Sequence, residues 1–244
     1  MRFEVCVDSA EGAAAAEQGG AQRVELCSDL VEGGVTPSLG LIRVTRRLIS
    51  IGLHVLIRPR GGDFVYSEGE YEVMCADILA AREAGADGVV IGLLLPDGRI
   101  DGQRVGALVE LAHPMSVTFH RAIDMSRDSS EALDDLILLG VERVLTSGRK
   151  PTALAGADCI ARLVQQAAHR AVILAGGGVT AETLPVLLAS TGVSEVHFSA
   201  RSILPSPMTY RNPECFMGKP YQPDEYHQKV TDSEQVRRVI AAAL

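Results

Sequence analysis

The chain has 244 residues, 47% of them hydrophobic but only 4% aromatic and none of them Trp. A core of that size must be packed by Ala, Val, Leu and Ile, the usual filling of a parallel sheet with helices on its faces. Its 23 basic and 31 acidic residues leave a net charge of −8 with no long basic run, which argues against nucleic acid or an anionic membrane surface as a partner.

Cys6, Cys27, Cys75, Cys159 and Cys215 are odd in number, widely spaced and free of any CxxC. That pattern suits neither a disulfide framework nor a structural zinc site, and a reducing cytoplasm is the expected compartment. The opening Met-Arg-Phe-Glu-Val-Cys-Val-Asp lacks the apolar run of a signal peptide. No stretch approaches the roughly 20 apolar residues of a membrane span.

In chain order, the first β-rich run is Arg2–Asp8, followed by an Ala-rich stretch that Ser9 can cap and Gly19-Gly20 can stop. After the run Arg23–Ser28, Thr36-Pro37 supplies a cap with Pro at the first helical position. The run His54–Pro59 precedes a helix expected over Glu70–Ala84, with Val73, Ile78 and Ala81 on its inner stripe and Gly85 as its stop. Gly88–Gly92 and Ser116–Arg121 come next. Asp128 and Glu131 then have the spacing of a capping box. Arg143–Gly148, Val172–Gly178 and Glu195–Ala200 complete the runs, with helices expected over Thr180–Ser190 and Ser233–Leu244.

Successive runs start 21 to 34 residues apart, the length of one strand, one helix and two loops. Eight such units predict an α/β fold, a single (β/α)8 TIM barrel over residues 1–244. The alternative, an open doubly wound sheet, carries a Gly-rich turn after its first strand, whereas here that turn reads Asp8-Ser9-Ala10-Glu11. The segment Arg201–Gln228, with Pro205, Pro207, Pro213, Pro220 and Pro223, breaks the period. It predicts a long Pro-rich loop after strand eight, serving as a lid or a subunit contact. On that loop Met208, Cys215 and Met217 are expected to pack rather than capture metal.

Side chains alternate along a strand, and the face of a barrel strand beneath a helix must be apolar. The polar parity therefore points into the barrel. It carries Glu4, Cys6 and Asp8 on the first strand and Glu25 and Cys27 on the second. It also carries His54 and Arg58, Thr118 and His120, and Glu195, His197 and Ser199. An ordinary barrel interior is filled by Val, Ile and Leu. A buried network joining the two Glu carboxylates, Arg58 and a His is the expected way to satisfy these charges.

The loop Arg58-Pro59-Arg60-Gly61-Gly62 offers two guanidiniums suited to a carboxylate or phosphate. Glu32-Gly33-Gly34-Val35-Thr36 is a weaker anion signal. Gly176-Gly177-Gly178 follows strand seven, where barrels often build a phosphate site. His120 is a candidate general base, Ser147 a candidate substrate contact, and Glu25 a second acid–base candidate. There is no G-x-S-x-G elbow, and Lys150, Lys219 and Lys229 fall outside the eight predicted strands, which argues against a serine hydrolase and a Schiff-base aldolase.

Cys6 and Cys27 lie on adjacent strands with the same inward parity, and strands run about 4.8 Å apart. Two soft thiolates at that spacing suit Cu(I). Two small buried residues filling a crowded interior would read the same way.

Beyond these readings, the sequence resembles the CutC family of copper homeostasis proteins. The resemblance rests on Val24-Glu25-Leu26-Cys27, Glu32–Ser38, Ile57–Phe64 with Tyr66-Ser67, Val117–Ala122, Val144–Gly148, and Ser206-Pro207-Met208 with Tyr210-Arg211. It implies a cytoplasmic TIM barrel that forms a homodimer or higher homo-oligomer, with copper held by Cys6 and Cys27. Two functional expectations stand together. One is a copper homeostasis protein that binds Cu(I) through the cysteine pair. The other is a barrel enzyme acting on a small anionic metabolite, held by Arg58, Arg60, Ser147, Gly176, Gly177, Gly178 and His197, with Glu25 or His120 moving a proton.

Overall fold

The computed structural model describes residues 1–212, 214–215, 217 and 224–243. Eight parallel strands close into a barrel in sequence order. They are β1 (Arg2–Val7), β2 (Arg23–Leu26), β3 (Gly52–Leu56), β4 (Gly88–Ile91), β5 (Ser116–Phe119), β6 (Arg143–Thr146), β7 (Val172–Gly176) and β8 (Glu195–Phe198). Closure comes from β8 pairing with β1, with Glu195 opposite Arg2 and His197 opposite Glu4. Seven α-helices lie between successive barrel strands: α1 (Ala10–Gln18), α2 (Leu39–Leu48), α3 (Glu68–Glu83), α4 (Gly102–Ala112), α5 (Ser129–Leu138), α6 (Ala157–Ala167) and α7 (Leu184–Thr191). After β8 the chain forms β9 (Arg201–Pro205) and β10 (His227–Thr231), then α8 (Ser233–Ala241).

The outward parity of the strands forms the main core. Val5, Val24, Leu26, Leu53, Val55, Val89, Ile91, Phe119 and Val144 are fully buried beneath the helices. Each such side chain stabilises the fold by about 1.5–3 kcal/mol. The helix faces that meet them include Met74, Ile78 and Ala81 of α3, and Leu133 and Leu136 of α5. Val236 of α8 packs directly over Gly19 at the end of α1, so the last helix seals the first, as the pattern predicts. Among the described residues no helix is long and apolar enough to cross a membrane.

Local signals hold in part. Ser9 caps α1 by accepting from the Gly12 amide at 3.0 Å. Thr36 does not cap α2: its amide donates to the Arg58 carbonyl and its hydroxyl accepts from the Arg58 amide at 3.0 Å. Clamped to the end of β3 in this way, it leaves the capping role to Ser38. In α3 the inward position falls to Met74, and Val73 is 48% exposed, because the buried stripe steps through residues 74, 78 and 81. Asp128 caps α5, but Glu131 pairs with Arg127 and leaves the capping box half made. α7 begins at Leu184, later than Thr180, after a turn.

The expected loop after strand eight is a hairpin at its two ends. β9 and β10 pair antiparallel, with Ile203 opposite Lys229 and Pro205 opposite His227 at the last rung. Pro213, Pro220 and Pro223 lie outside the described residues. Met208, Cys215 and Met217 are exposed, contrary to the expectation that they pack.

Candidate metal centre

Inward side chains build the site in tiers. The lowest tier is a buried ion network. Glu195 of β8 accepts from Arg23 of β2 at 2.5 Å and from Arg143 of β6 at 2.7 Å. The other side of the Arg23 guanidinium donates to Glu4 of β1. Burial alone would hinder ionisation of Glu195, but its hydrogen bonds from Arg143 and Arg23 win and keep its pKa below the usual value. Arg58 takes no part in this network, contrary to expectation. Arg23 and Arg143 fill that role because both start strands on the inward parity, two positions below Glu25 and Leu145.

Above the network stands His197. Its Nδ1 lies 2.7 Å from Oε1 of Glu4, and its Nε2 lies 3.7 Å from Glu25. Burial works against a charged ring, yet the Glu25 carboxylate and the contacts with Cys6 and Glu4 hold its pKa well above the ordinary value. Glu4 shows the converse. Burial opposes its charge, and the His197 hydrogen bond and the Arg23 guanidinium together hold its carboxyl well below the usual range. For Glu25 burial, aided by the nearby Glu4 charge, outweighs the His197 charge and pushes its carboxyl up.

Cys6 and Cys27 meet at the next level. Their Sγ atoms lie 3.7 Å apart, and the Cys27 thiol donates to the Val7 carbonyl at 3.4 Å. The interaction with Cys27, followed by burial, raises the Cys6 pKa well above that of an ordinary thiol. Leu56 and Val90 pack around the pair. Gly34, with φ +95°, closes over Cys27, and a Cβ there would fall 2.8 Å from Leu56 Cδ2. The donor atoms of Cys6, Glu25 and His197 all lie within 4.8 Å of one another. Cys27 is not one of that group, although its 3.7 Å separation from the Cys6 sulfur is within the span of two metal–sulfur bonds of about 2.3 Å.

Cys6, Glu25 and His197 form the floor of a chamber of about 1270 Å³ that opens at the C-terminal ends of the strands. Arg58, His120, Gly177 and Gly178 stand in its upper walls. Arg58 is tied to loop carbonyls, those of Glu32 and Gly34 at 2.7 Å and of Gly62 at 3.0 Å. Arg60 turns to Glu70 of α3 at 2.6 Å and stacks over Tyr66, outside the chamber walls. Ser147 is buried and its hydroxyl is engaged by Asp124, Arg121 and the Lys150 carbonyl. Gly176 sits inside β7, where a Cβ would strike Leu145 at 2.6 Å and crowd His197.

The sequence profile of the CutC family matches residues 1–202. The chain belongs to the CutC family. The human copper homeostasis protein cutC homolog is 50% identical over 99% of this chain and 88% of its own. A CutC family protein of Mesorhizobium japonicum is 48% identical over 99% and 93%. Among solved structures, the putative copper homeostasis protein CutC from Streptococcus agalactiae superposes with a TM-score of 0.78 at 33% identity, covering 82% of this chain and 98% of that one. N-(5'-phosphoribosyl)anthranilate isomerase from Pyrococcus furiosus, at 14% identity and a TM-score of 0.57 over 100% of this chain and 98% of its own, shares the barrel alone.

Proposed function

We propose that this CutC family member is a cytoplasmic copper homeostasis protein that binds Cu(I) through Cys6 and Cys27, with His197 as a neighbouring ligand. The observation that carries this reading is the 3.7 Å approach of the two sulfurs, open to the chamber through Cys6. Soft thiolates select Cu(I) over harder ions, and imidazole also suits copper. Glu25, a hard donor, contributes field and proton exchange more than a bond.

Glu4 gives His197 the orientation that a ligand needs. A histidine whose other ring nitrogen is hydrogen-bonded to a carboxylate has a fixed ring orientation and a more basic donor atom. Here that bond fixes Nδ1 and leaves Nε2 facing Glu25. Binding of the ion displaces protons from the thiols and from His197. The Glu4–Arg23–Glu195–Arg143 network below holds this arrangement rigid.

The reading is tested by anaerobic Cu(I) competition against a chromogenic chelator. The wild type is expected to take up one equivalent. Cys6→Ser and Cys27→Ser are each expected to lose tight binding. Binding that survives both substitutions rejects the pair as the site.

A further inference from the structure

The thiol pair occupies only the floor of the chamber, and a volume of about 1270 Å³ far exceeds the needs of one metal ion. Pockets for organic ligands run to about 300–1,000 Å³. The walls above the thiols are mixed in the manner of such pockets: Leu30, Phe64, Leu94 and Phe198 are apolar, while guanidiniums and an imidazole interrupt them.

The charges in these walls are not all matched. Arg121 pairs with Asp124, Arg201 with Asp8 and Arg238 with Glu182. Arg58 is 6% exposed, and among the described residues no carboxylate lies within ion-pair distance of it. Its Nη atoms donate to three carbonyls, and its Nε is buried without a partner. Carbonyl dipoles solvate such a cation but do not neutralise it, and buried charges are normally paired.

His120 adds an unmet donor beside that cation. Its Nδ1 accepts from the Ala122 amide at 3.1 Å, so the neutral ring carries its proton on Nε2. That atom is buried and has no partner. Burial and then the Arg58 charge hold the His120 pKa down at about 3, so the ring stays neutral at physiological pH. The ring lies 5.0 Å from that of Phe64, over which Arg58 also sits, at 5.3 Å. It occupies the space above Gly92, where any Cβ would come within 2.2 Å of it. Across the chamber, Gly177 and Gly178 turn with φ of +106° and +68° and bring bare backbone to the wall.

We propose that the mouth of the barrel binds a small organic oxyanion, a phosphate monoester or carboxylate, through Arg58 and His120, at a site separate from the thiol pair. The anion supplies the countercharge that Arg58 lacks and the acceptor that the His120 Nε2–H lacks. The apolar walls take the carbon skeleton. Glycine backbone at 177–178 admits close approach from the opposite side.

The test is a titration of the protein, labelled with ¹⁵N at histidine, with glycerol 3-phosphate, with glycerate and with neutral glycerol. The His120 ring signal, assigned by its loss in His120→Phe, is expected to move saturably with at least one of the two anions and not with glycerol. The anion that moves it identifies the class. Arg58→Gln is expected to weaken binding by about tenfold or more, the usual magnitude for a charged hydrogen bond. Because Arg58 also ties loops, His120→Phe serves as the second variant; its affinity, read by titration calorimetry because it lacks the His120 signal, is expected to fall without disturbing those ties. The Cys6→Ser/Cys27→Ser protein is expected to bind the anion as wild type does. A His120 signal unmoved by both anions, equal response to glycerol, or wild-type affinity in both the Arg58 and His120 variants overturns the proposal.

Discussion

Oε1 of Glu4 lies 2.7 Å from Nδ1 of His197, across the seam where the last barrel strand closes on the first. That contact couples the fold to the candidate metal centre. The same carboxylate takes a hydrogen bond from Arg23, so a single buried residue orients the histidine and anchors the ion network beneath it. Glu4→Gln is expected to lower Cu(I) affinity by about 10- to 100-fold, the usual loss when an outer-shell partner of a metal-binding histidine is removed. Chelator competition measures it, and unchanged affinity would mean that His197 does not ligate the ion.

Copper affinity should rise with pH. Cys6 and His197 both hold their protons more tightly than usual, and an incoming ion must displace them. Calorimetry in buffers of different ionisation enthalpy is expected to show net proton release on binding. The conditional affinity is expected to keep climbing from about pH 6 to about pH 9. A pH-independent affinity would exclude these groups as ligands.

The ion network should dominate local stability. Glu195→Gln leaves Arg23 and Arg143 short of their shared acceptor, and breaking a buried pair costs about 3–5 kcal/mol. Urea denaturation measures the loss. A loss under about 1 kcal/mol would show that water screens the cluster.

His54 gives the fold an acid-sensitive group. Burial, with Arg23 and Arg143 adding to it, depresses its pKa from 6.5 to about 4, and its Nδ1 has no partner. A folded-state pKa below the unfolded value contributes stability that is fully present above pH 6.5 and is lost as pH falls towards 4. His54→Leu is expected to flatten the decline of stability across that window. An unchanged pH profile would place the acid sensitivity elsewhere, in the carboxylates of Glu4 and Glu195.

Much of this was legible in the sequence. The regular spacing of β-rich runs gave the barrel, and strand parity placed Glu4, Glu25, Cys6, Cys27, His120 and His197 inside it. The same parity holds Arg23 and Arg143, whose partners Glu4 and Glu195 are set by closure of the barrel and not by proximity in sequence. Arg58 illustrates this: it lines the chamber, but β3 ends at Leu56, and two residues later the side chain is held by loop carbonyls above the ion network. Arg60 and Ser147 carried chemistry suited to a ligand, yet Glu70 and Asp124 engage them first. Such pairings arise between loops whose conformations no short-range pattern encodes. The hairpin of β9 and β10 was hidden for a related reason, since prolines mark the segment as irregular while its ends still pair across more than twenty residues.

Copper binding is proposed to rest on Cys6 and Cys27 together. Its most direct measurement is the anaerobic Cu(I) competition titration of the wild type beside the Cys6→Ser/Cys27→Ser double variant. Uptake of one tightly held equivalent by the wild type, abolished in the variant, is the predicted result. Weak uptake by the wild type, or uptake unchanged in the variant, would contradict it.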